Sequence, residues 1–265
     1  MDYTCLTKID KKLVTGKYII NGNDFDCGYS YEIDIETNNQ VSIVILNINE
    51  EATINFKTEK DSLLKMSFLQ EKPCKISING EILENSNVVC YYADFTSGDV
   101  SLKTNINLME ENSECIWNLS SLTKDKDNKE FDVSIYHKSK KTKCEINNYG
   151  VSRDESRLLF SGICKIEHGS HESVAHQNSK IMVFDEASDA IAKPILKIDD
   201  NDIEASHAAV VGKISDDHLF YLTSRGLSVQ KARELITYGY LKPILNGFDD
   251  EELQRQINSL IERGL

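Results

Sequence analysis

Between residues 29 and 211 the chain repeats short runs in which apolar and polar residues alternate. Such alternation with a period of two places one set of side chains on one face, as in a strand with one buried side. Clusters of Asn, Asp, Gly, Ser or Lys separate the runs, and no helical periodicity interrupts them. This region is therefore predicted to be all β. The alternating runs include Tyr31-Ile33-Ile35, Val41-Ile43-Ile45, Ile76-Ile78, Leu102 to Leu108, Phe131-Val133-Ile135 and Leu158-Phe160.

The strand pattern alone leaves the β architecture open. Before residue 211, the hairpin dipeptide Asn-Gly occurs only at Asn21-Gly22 and Asn79-Gly80, so hairpins are not the rule. Many short strands with irregular linkers also suit a parallel β-helix, in which each rung buries its inner face on the next. No strict repeat length is visible. A sandwich, a barrel and a β-helix all remain possible at this point.

The pattern changes from strands to helices near residue 215. Ser215 is predicted to cap a helix through DDHLFYLTSR, which Gly226 ends. Ser228 is predicted to cap a second helix, whose far end Gly239 and Pro243 limit.

A third helix is predicted near the end of the chain, with Asp249 and Glu252 as its capping pair. Three short amphipathic helices must pack on the β body or on a partner, and capping the open end of the β body is an equal alternative. The predicted units are residues 1–28 as a short N-terminal segment, 29–213 as the β core and 214–265 as a small α-helical domain.

Charge and hydropathy limit the partners and the compartment. The formal net charge of -13 argues against nucleic acid and anionic membranes as partners. No apolar run approaches the roughly 20 residues that a membrane-spanning helix needs. The first residues, MDYTCLTKIDKKL, lack the apolar centre of a secretion signal. We therefore expect a cytoplasmic protein.

The cysteine pattern and the absence of the standard catalytic motifs give no sign of an enzyme. Seven cysteines occur without a CxxC pair, which is a poor pattern for zinc or disulfides. Cys90 and Cys115 lie in strand-like runs, where a buried thiol acts as a small hydrophobe. Phosphate-binding, dinucleotide-binding, serine hydrolase and zinc protease signatures are missing. A β-helix enzyme or binding protein for carbohydrate stays open as an alternative.

The histidines cluster late in the chain. His168, His171 and His176 follow an H-x2-H-x4-H spacing that could gather imidazoles on a metal, but their polar surroundings favour a surface turn. His218 is predicted to lie on a helix surface. His207 shares its alternating face with small residues. A lone histidine there is usually buried and satisfied, yet small neighbours also leave room for a ligand or a surface. It is the best single candidate for a site.

The sequence SHAAVVG at residues 206–212, followed by LFYL at 219–222 and SRG at 224–226, closely resembles the SufB/SufD family. The stretch HQNSKIMVFDEASDAIAKPILKI at residues 176–198 is also similar to that family. The specific resemblance covers about residues 153–240. It implies a right-handed parallel β-helix with a helical C-terminal domain. The N-terminal helical domain of many relatives is expected to be absent or vestigial here.

The resemblance implies a non-catalytic scaffold for nascent iron–sulfur clusters, in a complex with a SufC-type ATPase and a SufB-like partner. His207 matches a family histidine implicated in holding the cluster or its iron at the subunit interface. The helices of residues 215–245 are the implied dock for the ATPase, with Phe220, Tyr221, Arg225 and Tyr238 as candidate contacts. Pairing of the chain with a second copy of itself is an alternative.

The chain departs from the family pattern at three positions, and the lack of the acidic residue of SufB favours a SufD-like chain. SufD-like proteins often have a cysteine where this chain has Ala205, and a threonine where it has Val210. SufB-like proteins carry an acidic residue at the position of Ala208. A separate SufB-like partner is therefore expected to supply most of the cluster ligands. The alternative for these helix residues is packing against the end of the β-helix, which is likelier for Phe220 and Leu222 than for Arg225.

Overall fold

The computed structural model describes residues 3–6, 10–24, 28–48, 50–214 and 216–263. Within these residues, seventeen strands form two parallel sheets, and three α-helices follow them. The strands are β1 Thr4–Cys5, β2 Asp10–Leu13, β3 Gly16–Asn21, β4 Tyr29–Ile35, β5 Gln40–Leu46, β6 Glu50–Thr58, β7 Leu63–Gln70, β8 Cys74–Ile82, β9 Asn87–Asp94, β10 Val100–Leu108, β11 Glu114–Thr123, β12 Asn128–His137, β13 Lys143–Ser152, β14 Arg157–Ile166, β15 Ser173–Val183, β16 Asp189–Ile198 and β17 Ile203–Lys213. The helices are α1 Asp216–Ser224, α2 Val229–Leu241 and α3 Glu251–Arg263, with short 3-10 helices at Gly22–Asp24 and Lys242–Gly247.

The two sheets form a coil because successive strands alternate between them. The odd-numbered strands form the nine-stranded sheet in chain order, and the even-numbered strands form the eight-stranded sheet. Each inner strand therefore pairs with the strand one turn before it and the strand one turn after it, and every pairing is parallel. This is a β-helix. The predicted β-helix with a helical C-terminal region is confirmed, and the sandwich and barrel are excluded.

The length of one turn grows along the coil. Tyr29 pairs with Ala52, 23 residues further on. Leu158 pairs with Ala190, 32 residues further on. A repeat that drifts by this much has no fixed period, which explains why none is visible in the sequence.

The coil begins before Tyr29, the first clear strand expected from the sequence. In strand β3, Gly16 pairs with Val41 of β5 and Ile20 pairs with Ile45. Alternation is hard to see here because β3 is only six residues long and reads GKYIIN. Parallel pairing with the next turn, which the local sequence does not reveal, makes this segment a strand.

The main core lies between the two sheets and consists of the inward-facing side chains of every turn. Aromatic rings stack along it: the ring centroids of Phe68 and Tyr92 are 5.3 Å apart, and those of Tyr92 and Trp117 are 6.3 Å apart. In the other sheet, the rings of Phe131 and Phe160 meet edge to face, with their centroids 5.7 Å apart. Burying each such ring contributes about 1.5–3 kcal/mol, so stacking turn on turn provides most of the stability.

In successive turns of the β-helix, the loop between two strands has a residue with a left-handed backbone at the equivalent position. Asp61, Asn85 and Asn112 have φ values of 57°, 54° and 59° there, and Asn and Asp tolerate this region better than most residues. Their side chains also bond from turn to turn. Asn85 Nδ2 donates to Asp61 Oδ1 at 2.8 Å, and Asn112 Nδ2 donates to Asn85 Oδ1 at 3.0 Å. The Asn- and Asp-rich clusters of the sequence thus form a ladder.

A buried ion pair joins two turns of the coil. Lys129 and Asp94 are both fully buried, and their side chains meet at 2.8 Å. The other two ammonium protons of Lys129 go to the carbonyl oxygens of Thr96 at 2.7 Å and Leu122 at 2.8 Å. Ser121 Oγ donates a further bond to Asp94 at 2.7 Å. With every ammonium proton bonded, the buried charge is tolerated.

The helices cover the flank of the nine-stranded sheet. A second apolar cluster joins Leu69, Leu122 and Val151 on the outer face of that sheet to Ile244 and Ile257 of the helical region. Ser67 Oγ donates to the carbonyl oxygen of Gly247 at 2.7 Å, which ties the same surfaces together. The helices therefore do not cap the open end of the β-helix, the alternative left open by the sequence.

The helix boundaries agree with the sequence in part. Ser228 caps α2, since its side chain accepts from the Lys231 N–H at 3.1 Å, and Gly226 has the expected left-handed φ of 93°. Ser215, the predicted cap of α1, lies outside the described residues. Gly239 does not end α2, which continues to Leu241 because glycine only weakens a helix.

The capping residue of α3 differs from the prediction. The carboxylate of Asp250, not Asp249, accepts from the backbone N–H groups of Glu252 and Leu253, at 2.8 and 3.2 Å. Asp249 is held elsewhere, in ion pairs with Lys65 at 2.8 Å and Lys17 at 3.2 Å. These ion pairs fasten the start of α3 to the β-helix.

Candidate functional site

The last turn of the β-helix ends in open strand edges. Strand β17 pairs only with β15, and β16 pairs only with β14, so each ends its sheet within the described residues. Both strands carry exposed apolar side chains: Val210 is 53% exposed and Val211 is 44% exposed, and Ile191 and Ile198 of β16 are exposed too. Open parallel edges with apolar side chains favour pairing with another chain.

His207 lies in the middle of this terminal turn. Its partner in the preceding turn is Gln177, which is buried on the inner face of the coil. His207 shares that face but is exposed, because no further turn of the described chain covers β17. The reading of His207 as a buried, satisfied side chain is therefore wrong. Its ring has no hydrogen bond to any part of the chain that the structure describes, so the imidazole can act as a ligand.

The neighbours of His207 add no second ligand from the family pattern. Ala205 precedes it on the same face and Ala208 follows it on the other. Neither side chain can bind a metal. The described part of the chain holds no group of three His, Cys, Asp or Glu side chains arranged to bind a metal ion. His207 is thus one exposed donor on an edge, which suits a ligand shared with a second subunit.

The other late histidines do not gather on one metal. His171 Nδ1 lies 2.9 Å from Asp200 Oδ1, and His176 Nδ1 lies 2.7 Å from Ser206 Oγ. His168 is exposed in the turn between β14 and β15. His171 lies in the same turn, as predicted, whereas His176 is on the outer face of β15. Each ring thus has its own surroundings.

Five cysteines of the described residues lie in the core. Cys5 is exposed, whereas Cys74, Cys90, Cys115, Cys144 and Cys164 are buried, as predicted for Cys90 and Cys115. Cys27 lies outside the described residues. Burial raises the pKa of the Cys74 thiol to about 12 and raises that of Cys90 as well. Thiols held in the protonated form are poor metal ligands and poor nucleophiles.

Helix α1 and the start of α2 present a partly apolar surface. Helix α1 has no buried residue. Phe220 is 74% exposed and Tyr221 is 55% exposed, and the guanidinium of Arg225 lies over the Tyr221 ring at 4.9 Å. Val229 of α2 is also exposed. Packing against the end of the β-helix was the alternative given as likelier for Phe220 and Leu222 than for Arg225, and the exposed ring of Phe220 does not pack in that way.

Tyr238 lies apart from this surface. Its hydroxyl donates to Asn258 Oδ1 of α3 at 3.0 Å, and Lys242 Nζ lies over its ring at 5.5 Å. The side chain is half-buried and joins α2 to α3. Of the four candidate contacts, Phe220, Tyr221 and Arg225 are therefore brought together, and Tyr238 is placed elsewhere.

Two polar residues that face into the coil, Lys129 and Gln177, were not predicted from the sequence. Lys129 occupies the same alternating face as Phe131 and Val133, which was the available sign of burial. Gln177 follows the same rule in β15, between Ala175 and Ser179. Period two alone would have placed both inside the coil.

Comparison with known proteins identifies the family. Residues 20–240 match the model for the SufBD core domain of the SUF system of iron–sulfur cluster assembly. The iron–sulfur cluster assembly protein SufD of Bacillus subtilis is 39% identical over 133 residues, which cover 50% of this chain and 30% of that protein. SufD of Escherichia coli is 28% identical over 115 residues, covering 43% of this chain and 27% of that protein. A SufBD family protein of Mycobacterium tuberculosis is 28% identical over 130 residues, covering 49% and 15%.

The matched regions span less than a third of the length of each of these relatives. None of the helices in the described ranges reaches the length and apolarity needed to cross a membrane. The family model nevertheless covers most of the chain, and the β-helix with its helical flank agrees with what the resemblance implied. The chain belongs to the SufBD core-domain family of iron–sulfur cluster assembly proteins.

Proposed function

We propose that the chain is a SufD-like scaffold subunit without catalytic activity of its own. It pairs with a SufB-like subunit through the last turn of its β-helix and binds a SufC-type ATPase through its helices. The observation that carries this proposal is the open terminal turn, where His207 is exposed between two unpaired strand edges. Family membership favours this role over the carbohydrate-active β-helix that the strand pattern left open.

The pairing surface consists of β16 and β17. Their free backbone groups can continue a ladder with a partner strand, while Val210 and Val211 supply apolar area. A SufB-like subunit fits because, among the described residues, His207 is the one potential metal ligand on the inner face of this last turn. The partner would supply the remaining ligands of a shared cluster.

The cargo is a nascent iron–sulfur cluster or its iron, held between the subunits. Neutral imidazole is a suitable iron ligand. A ligand shared across an interface releases its cargo when the subunits move apart. ATP hydrolysis by the partner would drive that movement, so this chain needs no active site. The cytoplasm is the expected compartment for such an assembly.

The ATPase dock consists of α1 and the start of α2, with Phe220, Tyr221 and Arg225 at its centre. Exposed aromatic and arginine side chains are typical of the residues that dominate protein interfaces. Tyr238 contributes by holding α2 against α3.

Two single variants separate the two interfaces. In cells that also make the SufB-like and SufC-type proteins, Val210→Glu should abolish co-purification of the SufB-like subunit and leave the ATPase bound. Phe220→Glu should do the reverse, so each variant is the control for the other. The proposal fails if neither variant loses a partner. If the isolated chain is a dimer that Val210→Glu makes monomeric, the pairing partner is a second copy.

A third variant tests the ligand. In the purified complex, His207→Ala should lower the bound iron and acid-labile sulfide without disturbing complex formation. Ser206→Ala is the matched control, since Ser206 is adjacent but bonds to His176. Equal iron and sulfide in both variants would make His207 a surface residue without a role in assembly.

A further inference from the structure

We propose that Gln177 is a positioning residue for His207. Its side-chain amide oxygen accepts a hydrogen bond from the Nδ1–H of the His207 ring, which leaves Nε2 as the free ligand atom. This inference rests on the proposed function, in which His207 is the ligand that the chain contributes. It adds a residue of the inner face, one turn below the edge, to the site.

The register of the last two turns brings these side chains together. Gln177 of β15 and His207 of β17 are direct partners in the parallel ladder, where neighbouring strands lie about 4.8 Å apart. Gln177 is only 4% exposed and points into the coil. Partners in register on one face point the same way, so the two side chains lie one above the other.

Both side chains have unmet hydrogen-bonding capacity. Gln177 Oε1 is buried without a partner. The His207 ring has no hydrogen bond to any described residue, and His207 is the direct register partner of Gln177. A buried acceptor without a donor destabilises the fold, so a bond to an adjacent free N–H is favoured. Small rotations about side-chain torsions would form it.

The surroundings leave room for this contact and offer little competition for it. The residues beside Gln177 on the inner face are Ala175 and Ser179, and those beside His207 are Ala205 and Ala209. These side chains are too short to separate the amide from the ring. Ser179 is in register with Ala209 and not with His207, so Gln177 Oε1 is the unpartnered acceptor directly in register with the ring.

A fixed acceptor at Nδ1 matters for a histidine ligand. Neutral imidazole has one N–H, and the hydrogen bond that this N–H makes decides which nitrogen is free. Histidines that bind metals nearly always donate their other N–H to a fixed acceptor, which orients the ring and raises its basicity. With a partner oxygen beneath the ring, Nε2 would face outward at the open edge.

The tautomer of His207 tests the inference on the isolated chain. Imidazole nitrogen and carbon chemical shifts, measured by NMR on histidine-labelled protein at a pH where the ring is neutral, distinguish Nδ1–H from Nε2–H. The wild type and Gln177→Glu, which keeps an acceptor, should show Nδ1–H. Gln177→Leu should shift to Nε2–H, the form that free histidine favours, whereas Ser179→Ala should match the wild type.

Two results would overturn the inference: a wild-type His207 that is mainly Nε2–H, or a Gln177→Leu variant with an unchanged tautomer. The wild-type spectrum decides by itself if Gln177→Leu fails to fold. In the assembled complex, Gln177→Leu should weaken iron binding by about 10–100-fold, and Gln177→Glu should restore it. The tautomer does not depend on cluster assembly, so it separates failure of this inference from failure of the proposed function.

Discussion

The buried pair of Lys129 and Asp94 allows a sharp test of what holds the coil together. Lys129→Met keeps the length of the side chain but removes the ammonium group. Asp94 then stays buried, with only Ser121 Oγ and the Thr96 N–H as donors, at 2.7 and 3.2 Å. Removing one partner of a fully buried ion pair costs about 3–5 kcal/mol of the free energy of unfolding.

The assay is urea unfolding, followed by circular dichroism and by the fluorescence of Trp117. This tryptophan is the only one in the chain, is fully buried and lies in the same part of the coil. Agreement between the two signals would show a single transition. A matched control is Lys60→Met, because the ion pair of Lys60 with Glu84 is half exposed and should contribute little.

The double variant Lys129→Met/Asp94→Asn isolates the charge. Asparagine keeps an acceptor for the Ser121 hydroxyl and removes the uncompensated carboxylate. We expect it to recover about 2 kcal/mol of the loss, as coupling within a network allows. The reasoning is refuted if Lys129→Met loses less than about 1 kcal/mol. It is also refuted if the loss of the double variant equals the sum of the losses of Lys129→Met and of Asp94→Asn measured alone.

Three further predictions concern packing, pH and thiols. Gly80→Ala should lower the free energy of unfolding by about 1–3 kcal/mol, because a Cβ there would lie 2.0 Å from the Phe56 ring. Adding Phe56→Leu to this variant should restore part of that loss, as measured by urea unfolding. Asp249→Asn should make the free energy of unfolding fall less steeply at acid pH, because Lys65 and Lys17 lower the pKa of Asp249 below its ordinary 3.8. The stabilisation from Asp249 is complete above pH 3.8 and is lost as the pH falls through the lowered pKa. Melting curves across an acid pH series with the same slope in both proteins would contradict this. In a Cys27→Ser background, a thiol reagent at mildly alkaline pH should label Cys5 quickly and the five buried cysteines only after unfolding; fast labelling of more than one thiol would show that the core opens readily.

The local sequence determined which segments form strands and where some of the helices begin or end. Period two predicted the buried faces of Tyr31-Ile33-Ile35 and Phe131-Val133-Ile135, because a strand exposes alternate residues to opposite faces whatever it pairs with. Ser228 and Gly226 marked helix ends because capping depends on a few neighbouring residues. The family resemblance, not the periodicity, selected the β-helix.

Only the tertiary structure decided where the helices pack and whether His207 is covered. Pairing partners lie 23 residues apart at Tyr29 and 32 at Leu158, and a local pattern does not specify contacts over such distances. The sequence could place His207 on an alternating face, but burial of that face depends on whether another turn follows β17. None does among the described residues. The same histidine would be a core residue in an inner turn, and it is an exposed ligand candidate because it lies in the last one.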